Sequence, residues 1–142
     1  MHPTPWHFWL IVTLAFFWHL FGCLDYTATQ MDWPFWMQNL SARQELYVQR
    51  MPDWIDGTWA VSVWAGLLGA LLMAVRARFA PLMLFISFIA LTVLAIWAYV
   101  FATPDVEDVA GPEALWILVG AAVLGLLLWL YARAMNRIGV IG

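Results

Sequence analysis

Apolar residues fill four stretches of the chain, at about 6–24, 57–75, 80–102 and 114–132, and the charged residues fall in the gaps between them. The second stretch shows the pattern best. From Thr58 to Val75 it holds 18 residues without a charge, with Asp53 and Asp56 at one end and Arg76 and Arg78 at the other. At about 1.5 Å of rise per residue, such a helix nearly matches a hydrocarbon core of about 30 Å. The four stretches predict an all-α membrane protein, a bundle of four transmembrane helices forming one domain over residues 1–142. A cleaved signal peptide would want a basic segment before its apolar run, and only His2 precedes Trp6.

The linkers carry local signals. Pro81 suits the first turn of the third helix, and the short link before it predicts an antiparallel hairpin of segments two and three. In the long first loop, Trp33, Phe35 and Trp36 surround Pro34, as in a segment lying at headgroup level. Ser41 and Gln44 are spaced as a capping box, which predicts a short helix from about Ala42 to Met51, ended by Pro52. Thr103-Pro104-Asp105 breaks the third span, and the loop that follows reads as an acidic linker.

Charge then orients the bundle. All six basic residues are arginines. Arg76 and Arg78 in the second link, and Arg133 and Arg137 in the C-terminal tail, have no acid beside them, whereas the last loop holds Asp105, Glu107, Asp108 and Glu113 without a base. By the positive-inside rule, both termini lie in the cytoplasm, and the long aromatic loop and the acidic loop lie outside. A net charge of −3 with the arginines in separated pairs leaves no footprint for nucleic acid. The single cysteine excludes an intramolecular disulfide and any CxxC site.

Every fourth residue of the second span is small: Thr58, Ser62, Gly66, Ala70 and Ala74, with Gly69 nearby. Such a row allows close approach of another helix, within the bundle or in another protein, so this span is expected to be the one the others pack against. Ionisable side chains inside a membrane are costly, which singles out His19, with Cys23 four residues on along the same face. One expectation is that together they could supply half of a metal or redox site. The plainer reading is a neutral imidazole bonded to a neighbouring Ser, Thr or backbone carbonyl, because the other spans offer no second His, Cys or carboxylate. Asp25, at the outer end of the first span, is either a vestibule carboxylate for a cation, a proton or a sugar hydroxyl, or a solvated group paired with Arg43 or Arg50. Trp33, Trp36, Trp54 and Trp59 gather at the outer boundary. They form an interfacial belt by default and a stacking surface for sugars or cations as the sharper alternative.

Two stretches also carry a family likeness. Trp18-His-Leu-Phe-Gly22-Cys-Leu-Asp25-Tyr26 is followed by Thr29-Gln30, and later Met51-Pro52-Asp-Trp54 leads to Trp59, Trp64, Gly66, Gly69, Arg-Ala-Arg-Phe-Ala-Pro81 and Ser87. Over residues 6–90 this resembles a family of small four-span bacterial inner-membrane proteins without an agreed function, many of them labelled "sugar transporter". The family usually has Asn where this chain has His19, so no role of that residue carries over. The resemblance implies a membrane location and offers transport of a small sugar-like solute as one function.

With no nucleophile beside a base and no phosphate-binding glycine loop, the sequence predicts no enzyme, no catalytic residue, no bound metal and no cofactor. The leading expectation is an accessory subunit in contact with lipid and with another membrane protein or further copies of itself. The alternatives are a small oligomeric transporter and a cofactor or pigment binder using His19.

Overall fold

No proline interrupts the chain between Pro5 and Pro34, and a single helix fills most of that interval. In a computed structural model, which describes residues 2–142, helix α1 runs Trp6–Gln30. It continues six residues beyond the expected end at Leu24, because Asp25 to Gln30 are polar but contain no breaker. The chain leaves the helix only at Asp32, whose φ of 49° is left-handed, with Trp33 N–H donating to Ala28 O at 3.0 Å. Asp25 therefore sits within a helix, not in a loop.

A single turn, α2 (Pro34–Met37), leads to α3 (Ala42–Gln49). The capping box forms as the spacing predicts: Gln44 N–H donates to Ser41 Oγ at 3.2 Å, and Ser41 N–H donates to Gln44 Oε1 at 3.0 Å. Pro52 then caps α4 (Asp53–Ala74), whose first turn carries Asp53 and Asp56 where the positive end of the helix dipole favours them. Starting at Asp53, α4 is four residues longer at its N-terminus than the apolar stretch alone. Helix α5 (Ala80–Ile96) continues through a π-helical turn, Trp97–Phe101. The acidic linker contains a short helix the sequence reading missed, α6 (Val106–Ala110), capped by Asp105, which accepts Asp108 N–H at 2.9 Å. Asp105 three residues before Asp108, followed by Gly111 and Pro112, was the available signal. Helix α7 (Pro112–Arg137) carries Arg133 and Arg137 as its last turns, so both lie on the helix and not in a tail.

Four of these elements are long and apolar enough to cross a membrane: α1, α4, α5 with its π turn, and α7. Helix α4 packs between α1 and α5, and α5 packs between α4 and α7. The expectation that α4 contacts every other span holds extensively for α1 and α5, whereas α7 meets α4 only through side chains such as Leu128 beside Ala70. Helix α7 follows the α4–α5 hairpin through α5, and its seam with α1 is looser.

The densest core lies at the end of the bundle where both termini meet the α4–α5 link. Phe8, Val12, Met73, Leu84, Met135 and Ile141 pack together there. Arg76 fastens this end, its guanidinium donating to Thr4 Oγ1 at 3.2 Å and its carbonyl accepting Gly142 N–H at 3.0 Å. At the opposite end, Asp56 at the start of α4 accepts Gln30 Nε2–H at 2.6 Å and Tyr26 O–H at 3.5 Å from the end of α1. Polar latches thus pin α1 to α4 near both ends, beyond the spans where lipid offers no hydrophobic drive for association.

Candidate functional site

The small residues of α4 divide between two neighbours. Gly66 faces α1: a Cβ there would stand 2.8 Å from Cγ of His19 and overlap its Nδ1–Cε1 edge. Gly69 faces α5, where a Cβ would stand 2.7 Å from Leu84 Cγ and 3.2 Å from the Leu84 backbone nitrogen. Ser62 and Ala70 are buried, Ala70 against Ala15 and Leu128. Ala74 packs at the edge of the core near the termini. Thr58 departs from the pattern: it lines an open groove between α4 and α5, and its hydroxyl donates to Trp54 O at 2.7 Å.

Gly66 makes room for His19, which is only 6% exposed. Its Nε2 is buried and has no hydrogen-bond partner among the described residues. The expected partners are nearby but engaged elsewhere. Ser62 donates to Trp59 O at 2.7 Å, Ser87 donates to Ser62 O across the α4–α5 contact, and Cys23 Sγ–H donates to Val63 O at 3.3 Å. A buried nitrogen left without a partner costs about 1–3 kcal/mol. Cys23 shares a face with His19, but its thiol is turned to the α4 backbone. Among the described residues no three His, Cys, Asp or Glu side chains converge as metal ligands would.

His19 lines a cavity of about 280 Å³ enclosed by α1, α4, α5 and α7. Ser62, Ser87 and Asp25 contribute its other hydrogen-bonding groups, and Ile117 and Ala121 of α7 close it. Sequence pattern did not point to these two α7 residues, which are ordinary apolar positions; only the packing brings them to His19. The cavity is open on the side of Phe21, Trp18 and Ile117, which are all exposed on the outer surface of the bundle. A second chamber, of about 300 Å³ and lined almost wholly by apolar side chains, lies along the same α1–α7 seam, with Trp18 lining both.

Asp25 does not pair with Arg43 or Arg50. Its Oδ1 accepts the indole N–H of Trp36 at 2.9 Å, from the α2 turn folded back over α1. Arg43 and Arg50 instead line a small cleft of about 130 Å³ under Pro104, together with Tyr47 and Trp97. Burial, and after it the Asp105 carboxylate, push the Tyr47 pKa up to about 12. Of the four boundary tryptophans, Trp36 is fixed by Asp25 and Trp59 stacks edge-on against Tyr26 at 5.0 Å, whereas Trp33 and Trp54 are exposed. His7, the other histidine of the first span, accepts from or donates to the Tyr131 hydroxyl at 2.7 Å and takes no part in the cavity.

No protein-family model matches this chain, and neither a curated protein nor a solved structure matches it.

Proposed function

We propose that this multipass membrane protein is a non-catalytic binder that holds one lipid-soluble ligand in the cavity beside His19. A buried imidazole whose Nε2 has no partner, on a residue that lines a cavity open to the outer surface of the bundle, is the observation that carries this reading. A small turn of the ring toward the cavity would let a ligand hydrogen-bond Nε2, removing the penalty of an orphaned polar group, about 1–3 kcal/mol.

The rival readings have less support. Association with a larger partner was motivated by the small-residue row, but Gly66 and Gly69 are used inside the bundle. Passage of a sugar-like solute needs a polar route from end to end, and below His19 the bundle is filled by Phe8, Val12, Met73, Leu84 and Met135. The test is to extract the purified protein with organic solvent and analyse what it carried. We expect a lipid-soluble compound near one per chain, lost in Ala121→Phe, which fills the cavity. An identical extract from both proteins would sink the proposal.

The same reading includes an orientation in the bacterial inner membrane. The arginine-bearing end, where the termini and the α4–α5 link meet, faces the cytoplasm, following the positive-inside bias. Reporter fusions after Arg78 and after Asp108 are expected to be active on opposite sides, with the Arg78 fusion cytoplasmic. Activity on one side for both would overturn it.

A further inference from the structure

We infer that the ligand held beside His19 is a long-chain alcohol or phenol, a neutral hydroxyl head on an apolar tail; this rests on the ligand-holding reading above. The inference comes from an account of donors and acceptors in the cavity. The hydroxyl hydrogens of Ser62 and Ser87 are already donated to helix carbonyls, so both oxygens are left only as acceptors. Asp25 has spent one oxygen on Trp36 and keeps the other as an acceptor. A neutral His19 offers one N–H and one lone pair, and the Trp18 indole adds a single N–H. Acceptors therefore outnumber donors, and a head group that donates is matched better than a carbonyl, an ester or an ether.

Charge narrows the class further. A phosphate or carboxylate head would be placed beside the Asp25 carboxylate in a low-dielectric cavity, where like charges repel strongly. An ammonium would have to be stripped of water with only one counter-charge near it, and desolvation of an ion exceeds what one imperfect pair returns. A hydroxyl carries neither penalty.

The tail follows from the second chamber. Ile11, Leu14, Ala15, Leu124, Leu127 and Leu128 line it, and the Trp18 side chain stands between it and the His19 cavity, lining both. Its one polar neighbour, Tyr131, is engaged with His7. From Ile11 to Asp25 the two chambers flank α1 over about 21 Å at 1.5 Å per residue, the length an extended chain would occupy once Trp18 turns aside. The seam stays open because α7 packs on α5, and because Ala15 and Ala121 present small side chains across it.

The test uses quenching of tryptophan fluorescence in the full chain, in detergent, by bromoundecanol carrying bromine on its terminal carbon. Its methyl ether and the corresponding amine are the comparisons. Trp18, which lines both chambers, is the reporter, its share of the signal from eleven tryptophans being read as the difference from Trp18→Phe. We expect saturable quenching by the alcohol, reversed by unbrominated undecanol, with half-saturation on the order of ten-fold below that of the ether, as one well-made hydrogen bond gives. His19→Leu and Ser87→Ala should each narrow that gap. Ala121→Phe should abolish saturable binding of every probe, and Leu124→Phe, which blocks the tail chamber, serves if that variant does not fold. Equal affinity for alcohol and ether, or tighter binding of the amine, would overturn the hydroxyl inference while leaving the ligand-holding reading in place. Absence of saturable quenching by any probe would remove both.

Discussion

Replacing Gly66 by alanine should destabilise the bundle by about 1–3 kcal/mol, the usual range when a methyl group is forced into a filled site. The new Cβ would overlap the His19 ring, so the ring must be driven off its place toward the adjoining cavity or α1 and α4 must move apart. The obstruction is a side chain, so it can be removed. His19→Ala alone leaves a void where the ring was, and the Gly66→Ala methyl then enters that void. The double variant should recover most of the loss, giving a coupling energy of about 1 kcal/mol or more between the two sites. Apparent thermal midpoints in detergent, by circular dichroism or by retention on gel filtration after heating, would measure it. Additive effects of the two substitutions would mean that the α1–α4 contact is not built around this pair.

Gly69→Ala is expected to cost at least as much, about 1–3 kcal/mol, and to resist rescue. Here the Cβ meets the Leu84 side chain and also stands 3.2 Å from the Leu84 backbone nitrogen, which no substitution can remove. Combining it with Leu84→Ala should therefore recover little, since the smaller side chain also leaves a cavity in the core beside Met73 and Phe8. Gly120→Ala is the internal control. Nothing lies within 4 Å of a Cβ at that position. It should be neutral, or stabilising by up to about 0.5–1 kcal/mol as alanine replaces glycine within a helix. Equal changes in stability for Gly69→Ala and Gly120→Ala would show that the α4–α5 contact at Gly69 does not govern the response.

These contrasts mark how far residue pattern reaches. A four-residue spacing of small residues announces a helix contact, yet the row does not act as one surface. Gly66 admits a ring from α1, Gly69 admits the backbone of α5, and Thr58 lies over a groove. Spacing along a helix gives direction about its axis; the partner on each side depends on how the other helices cross. The same limit applies to Asp25. Its place at the end of the first apolar stretch was legible, but its partner is Trp36, eleven residues on, because α2 folds back over α1. Nothing in the charges of Arg43 and Arg50 indicated that they would turn instead to the cleft under Pro104.

By itself the sequence determined the class of protein, the four spans, the α4–α5 hairpin and the capping box at Ser41. Each of these depends on residues adjacent in the chain: an uninterrupted apolar run forces its backbone to bond internally in lipid, and a cap needs only three residues of spacing. The helix ends were less legible, since polar residues without a breaker extend α1 to Gln30 and α7 to Arg137. The tertiary structure alone decided that α7 packs on α5, that a seam stays open between α1 and α7, and that His19 lies in that cavity with its Nε2 unpartnered. The physical reason is that membrane helices lack a directional hydrophobic drive toward one another. Their order and depth are fixed by shape and by a few polar contacts between residues far apart in the chain, and those leave no periodic trace in the sequence.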